Sequence, residues 1–185
     1  MQTTLLADLP LTTTSYGDSP YQSFSARAGN PNFIDFAELI EAGYLEQRDI
    51  DGVYLGSDPS NVDYGAIFGG RRQILDRAAE RFAADKPADF DEFVQTNEDW
   101  LIPYCEFMTV KEECGLKAFW EWPAELRTRG EASAKVCAAH PARMLYHQMT
   151  QYFFDRQWSR LKAYANERDI LIIGDLPIYV SRDSV

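Results

Sequence analysis

The sequence predicts an α/β fold that is mostly helical and short of strands. Three observations carry this. Ile170-Leu171-Ile172-Ile173 is a run of four aliphatics ending in Gly174-Asp175, the pattern of a strand buried on both sides and common in parallel sheets covered by helices. Most of the chain before it shows apolar residues at helical three-and-four spacing. Only Leu5 to Leu11 offers a second strand, and a buried strand needs more partners than one. The chain thus reads as a piece cut from a larger α/β fold.

In order along the chain, Leu9 to Asn32 is dense in Thr, Ser, Gly, Asp, Asn and Pro, residues that favour turns. It also carries Tyr16, Tyr21 and Phe24, followed by Phe33. A long loop of this kind inside a compact domain is usually functional. Phe36, Leu39 and Ile40 predict a short helix ended by Gly43, followed by irregular chain through Gly52 and Gly56. Ile67, Ile74, Leu75, Ala78 and Phe82 place a helix over residues 64–84, with Gly69-Gly70 weakening its start. Phe90, Phe93, Val94, Leu101, Tyr104, Phe107 and Met108 form a second helical stripe, which Pro103 should kink or divide. Trp120 to Pro123 is a break. The clearest helix covers residues 142–166, where Leu145, Met149, Tyr152, Phe153, Leu161 and Ala165 repeat with no Gly or Pro between them. An acid just past the end of a parallel strand, as Asp175 is, occupies the place where α/β barrels put their chemistry. Its plainer alternative is a turn former or helix N-cap before Pro177.

The 185 residues, 45% hydrophobic and 14% aromatic, suffice for one domain with a sizeable core or for part of a larger one. Lys and Arg number 18 against 29 Asp and Glu, for a net charge of −11. A field of that sign repels phosphate backbones and anionic lipid, so nucleic acid and membranes are not expected partners, whereas a neutral ligand is unaffected. No apolar run is long enough to span a bilayer, and residues 1–11 lack the pattern of a secretory signal, so a cytoplasmic setting is expected. Cys105, Cys114 and Cys137 are odd in number, without CxxC spacing, and read as reduced thiols. His140 and His147 have no further ligands at zinc-like spacing, so no metal is expected, and nothing suggests a cofactor.

The loop Thr14-Ser15-Tyr16-Gly17-Asp18-Ser19-Pro20-Tyr21-Gln22-Ser23-Phe24 sets two tyrosines among short polar groups. Sugars suit that chemistry, with C–H faces on aromatic rings and hydroxyls in fixed hydrogen bonds, although a structural tyrosine turn fits as well. Residues 16–26 with Ala28-Gly29-Asn30-Pro31 resemble the tyrosine-loop signature of the amylomaltases, the 4-α-glucanotransferases of glycoside hydrolase family 77. The resemblance returns in family order at Trp120-Glu121-Trp122-Pro123, at Phe154-Asp155-Arg156-Gln157-Trp158 with Lys162-Ala163-Tyr164-Ala165-Asn166, and at Gly174-Asp175-Leu176-Pro177-Ile178-Tyr179-Val180, continued by Asp183-Ser184. It departs at Ala7-Asp8 and Thr13, where the family usually has Trp-Gln and Pro.

This resemblance implies an incomplete (β/α)8 TIM-barrel fragment carrying a mostly helical insertion subdomain. Residues 1–15 would end an early barrel strand and its loop, 16–141 would form the insertion with the glucan-contacting loop, and 142–185 the returning helix and next strand. It implies retaining transfer of α-1,4-glucan segments between malto-oligosaccharides, with a carboxylate nucleophile and a carboxylic acid/base. The catalytic carboxylates of the family fall after Val185, so no catalytic residue is assigned and the chain alone is expected to be inactive. Substrate-binding residues carried over are Tyr21 and Ser19 on the donor side of the cleft, Tyr16 at a second glucan site, and Asp175 as an acid supporting the active centre. A stand-alone glucan-binding module and an inert helical scaffold remain as alternatives.

Overall fold

A computed structural model describes residues 4–15, 17–58, 60–176 and 179–185. Tyr16 and Pro177, both singled out above, lie outside the described residues. Two strands, β1 (Thr4–Asp8) and β2 (Ile170–Gly174), pair in parallel with Thr4 opposite Ile170 and Asp8 opposite Gly174. Between them come α1 (Phe36–Glu41), α2 (Gln47–Ile50), α3 (Tyr64–Ala84), α4 (Phe90–Thr96), α5 (Glu98–Glu113), α6 (Glu131–Ala139) and α7 (Pro141–Asn166). Short 3-10 turns cover Pro31–Phe33, Phe119–Glu121 and Ala124–Leu126.

The core lies where α7 crosses α3. Met149, Tyr152 and Phe153 of α7 meet Ile74, Leu75, Ala78 and Phe82 of α3, with Leu39 of α1 and Phe90 of α4 closing the cluster. Phe82 is its pivot: the Phe90 ring stands edge-on to it at 4.8 Å and the Phe153 ring at 5.7 Å, geometries that aromatic quadrupoles favour. A second cluster gathers Ala28, Leu101, Tyr104 and Cys105 under α5.

Several expectations need correction. β2 is not buried on both sides: Leu171 and Ile173 are 49% and 51% exposed, because alternate side chains point to opposite faces and one strand plus α7 cover only one of them. The apolar stripe of α7 is also not buried throughout, since Leu161 is exposed while Ala165, one turn further on, is buried. The stripe from Phe90 to Met108 divides at Asn97, whereas α5 runs on through Pro103. Asn97 supports the break with its own amide, donating to Phe93 O (2.9 Å) and accepting from Trp100 Nε1 (3.0 Å).

Gly69-Gly70 lies inside an unbroken α3. A Cβ on Gly70 would stand 2.7 Å from Tyr54 O and 2.6 Å from a Leu55 methyl, so the missing side chain is what lets α3 pack on the 53–55 segment. α2 and α6 have no apolar stripe long enough to announce them; α6 is built of Ala, Ser, Cys and Val around one Lys and one Glu.

Two glutamines of α7 dock the loops to the core. Gln151, fully buried, accepts from Gly29 N (2.7 Å) and donates to Gly29 O (2.9 Å); Gln157 brackets Asp35 in the same way at 2.7 and 3.1 Å. Gly29 has no room for more, since a Cβ there would lie 2.1 Å from the Phe154 ring. Gly29→Ala is therefore expected to force a backbone shift at the foot of the tyrosine loop and to lower stability by about 1–3 kcal/mol in a thermal melt. An unchanged melting temperature would contradict this packing.

Candidate functional site

The tyrosine loop is held by its own backbone before it meets anything else. Asn30 N donates to Leu11 O, Thr13 N to Ala28 O, and Ser15 N to Gln22 O, all at 2.8–3.0 Å, making a narrow hairpin-like stem. Ser23 Oγ sits inside it, 3.0 Å from Thr13 Oγ1 and 2.6 Å from Ser25 O. The tip turns at Gly17 and Asp18, with φ of 85° and 54°, the left-handed region that glycine and aspartate tolerate best. Ser19 Oγ accepts from Tyr21 N at 3.3 Å, so this serine also shapes the turn that presents Tyr21.

Tyr21 projects from the stem with 44% of its surface exposed. Its hydroxyl donates to Asp175 Oδ2 at 2.7 Å, joining two predicted site residues that are 154 positions apart. The bond to the carboxylate raises the phenol's pKa above its ordinary value, with slight burial and the negative charge of Asp175 adding in the same direction. Asp175 is held from the other side by the strand pair, its amide donating to Asp8 O at 3.2 Å. Asp8, Leu9, Gly174 and Asp175 surround an open hollow of about 450 Å3 at the C-terminal ends of both parallel strands.

Beside that hollow lies a cleft of about 840 Å3, lined by Ser19, Tyr21, Trp120, Tyr179, Arg182 and Asp183 among others. Trp120 is 38% exposed, with the Arg182 guanidinium 4.6 Å from its ring centroid and Phe119 edge-on at 5.4 Å. Behind the cleft Lys111 is only 2% exposed and donates to Asp183 Oδ2 (2.5 Å) and Lys117 O (2.9 Å). The structure thus brings Ser19, Tyr21 and Asp175 to one region. Trp120 and Asp183 were noticed in the sequence only as parts of motifs. Lys111 was missed, although its spacing from Leu101, Tyr104 and Met108 puts it on the core-facing stripe of α5, an unusual place for a lysine.

Each histidine lies beside a glutamate of α5. His140 Nε2 lies 3.2 Å from Glu113, and His147, buried, has Nε2 3.1 Å from Glu112, out of line for a strong hydrogen bond. Among the described residues no group of three or more His, Cys, Asp or Glu could hold a metal ion, and no helix is long and apolar enough to cross a membrane. Cys105, Cys114 and Cys137 are free thiols, each with its pKa pushed up by burial.

The class is therefore a mostly helical α/β protein with aromatic rings, hydroxyls and charged side chains gathered beside two parallel strand ends. Known proteins give the family. The sequence profile of the 4-alpha-glucanotransferases, glycoside hydrolase family 77, matches residues 1–185. The chain is 49% identical over 179 residues to the 4-alpha-glucanotransferase of Streptococcus pneumoniae, covering 95% of this chain and 35% of that protein. It is 39% identical over 181 residues to the enzyme of the same name from Thermus thermophilus, again covering 95% and 35%. Among solved structures it matches the amylomaltase from Streptococcus agalactiae in complex with acarbose, with a TM-score of 0.91 at 45% identity, over 98% of this chain and 37% of that one. The chain belongs to the 4-alpha-glucanotransferase family, and it spans about 35% of the length of these relatives.

Proposed function

We propose that this chain supplies one wall of the glucan cleft of an amylomaltase, an enzyme that moves α-1,4-glucan segments between maltodextrins by retaining double displacement. The single observation that carries the reading is the Tyr21–Asp175 bond at the mouth of the strand pair, which ties an aromatic ring lining the cleft to a carboxylate in the adjoining hollow. In this reading Tyr21 stacks on a donor-side sugar, Ser19 shapes the turn that presents it, and Asp175 holds the phenol while contributing negative charge near the reaction centre. Tyr16 serves a second glucan site. β1 and β2 are neighbouring strands of a (β/α)8 barrel, residues 1–15 and 142–185 belong to its body, and 16–141 are a helical insertion. The exposed Leu171 and Ile173 support this division, since they present an apolar sheet face of the kind that further barrel elements cover. The nucleophile and the acid/base belong to other parts of the longer enzyme, so the chain alone binds glucan without turning it over. Three free thiols fit a reducing, cytoplasmic setting.

Titration of the chain with maltoheptaose tests the reading. The expected result is saturable binding that weakens by about tenfold or more in Tyr21→Ala, the size of one lost stacking platform, and by less in Tyr21→Phe, which keeps the ring and loses only the bond to Asp175. No binding by the unaltered chain, or equal binding by Tyr21→Ala, would overturn it.

A further inference from the structure

Lys111 carries a positive charge on the buried stripe of α5, a place where a charged group persists only with full compensation. Its ammonium lies 4.9 Å from the Phe24 ring centroid and 5.8 Å from that of Phe107, and its hydrogen bonds go to Asp183 Oδ2 and Lys117 O. The two partners belong to two segments that both line the cleft, the turn after α5 and the chain after β2. Lys117 O also receives Trp122 Nε1 at 2.8 Å, which fixes the start of the 117–122 turn. The other oxygen of Asp183, Oδ1, accepts from Phe119 N at 3.1 Å, next to Trp120. Arg182, adjacent to Asp183, covers one face of Trp120, and Val185 N closes the segment onto Phe24 O at 2.9 Å.

We infer that Lys111 is a positioning residue for the cleft, and that the sugar platform it positions is Trp120. Lys111 orients Asp183, Asp183 holds Phe119 and carries Arg182, and those two set the plane of the indole facing the cleft. The geometry assigns Trp120 a role like that of Tyr21, with the two aromatic side chains lining one cleft. The sugar-binding part of this inference rests on the glucan reading above; the positioning part does not. The buried ammonium has three N–H donors to satisfy, and it satisfies two of them by tying the segment after β2 to the turn bearing Trp120.

The test uses the 185-residue chain labelled with 5-fluorotryptophan, the Trp120 resonance being assigned by Trp120→Phe. In Lys111→Met the Trp120 fluorine signal is expected to shift or broaden without sugar. The Phe119 amide should exchange its hydrogen about tenfold faster, and maltoheptaose affinity should fall about tenfold. Asp183→Asn, whose single amide oxygen can replace only one of the two carboxylate oxygens that accept from Lys111 and Phe119, should move the same signals in the same direction. Arg143→Met, which breaks a half-buried pair with Glu112 away from the cleft, should lower the melting temperature and leave Trp120, Phe119 and the affinity unchanged. If Lys111→Met does not fold, Asp183→Asn decides the matter. Trp120 and Phe119 signals indifferent to the folded variants, or equally disturbed by Arg143→Met, would overturn the positioning role. A disturbed Trp120 with an unaltered chain that binds no maltoheptaose would keep the positioning role and sink the glucan reading. Normal affinity in Trp120→Phe and Trp120→Ala would remove Trp120 as a platform.

Discussion

Incubated with maltotriose, the chain is expected to yield no glucose and no longer maltodextrins above the uncatalysed background. The effect is large because the nucleophile and the acid/base act as a unit: losing either typically removes many orders of magnitude of rate, and here both are assigned to parts of the enzyme other than these residues. Chromatography of the reaction products checks this. The control is a full-length relative at equal concentration, for which rates on the order of 1–1,000 per second are usual. Turnover approaching that range would require a nucleophile and an acid among these 185 residues, and would overturn the assignment of catalysis elsewhere. Binding without turnover is the combined outcome that the proposed function predicts.

The second large effect is on stability, at the junction of α3, α5 and α7. Glu112, on α5, receives Arg143 Nε of α7 at 2.7 Å and Arg72 Nη2 of α3 at 2.8 Å, with His147 of α7 also in reach. Arg143 extends the network to Asp76 on α3 at 2.5 Å. Burial would raise the pKa of the Glu112 carboxyl, but the hydrogen bonds and charges around it, His147 and Arg143 foremost, outweigh this and hold it well below the ordinary glutamate range. Glu112→Gln leaves two half-buried guanidinium groups with half their compensation, and a loss of up to about 3 kcal/mol is expected. For a domain of this size that is roughly 6–12 °C in melting temperature.

The pH dependence gives a sharper check. A carboxyl whose pKa is lowered by folding contributes stability that is full above about pH 4.3 and is lost as the pH falls toward its folded value. Burial also lowers the pKa of His147, against the raising pull of Glu112, so protonation of the unfolded chain below about pH 6.5 erodes stability in the same direction. The groups that face His147 are Glu112, Arg143, Arg72 and the rings of Tyr104 and Tyr146. Denaturant unfolding from pH 7 to 3 should therefore show steady loss in the parent chain. The gap to Glu112→Gln should be widest near neutrality and should narrow below about pH 4. A gap that stays constant over that range would mean that the glutamate acts through its shape and not its charge.

Much of this was legible in the sequence because local patterns report local structure. The apolar period of α7 placed that helix to within a residue, Gly43 ended α1 where expected, and the strand candidate at Leu5–Leu11 appeared as β1, stopping before Pro10. The motifs around Tyr21, Trp120 and Asp175 named the family, since they stand in the family's order along nearly the whole chain. What the sequence misjudged were positions where a neighbour distant in the chain overrides a local rule. Gly69-Gly70 weakens the start of α3 by local propensity, yet the 53–55 segment packs against Gly70 and the helix runs through, and Pro103 stays inside α5 while Asn97 makes the break.

The sequence by itself determined the helical stripes, the two strand candidates and the glucanotransferase family. Only the tertiary structure decided that Tyr21 and Asp175 share a hydrogen bond, that half of the β2 side chains lack cover, and that Lys111 reaches across to Asp183. The physical reason is the same in each case. Helical and strand periods are set by backbone geometry within a few residues. A charge or phenol buried or fixed by a group more than 70 positions away depends on how whole elements pack, and no local pattern records that.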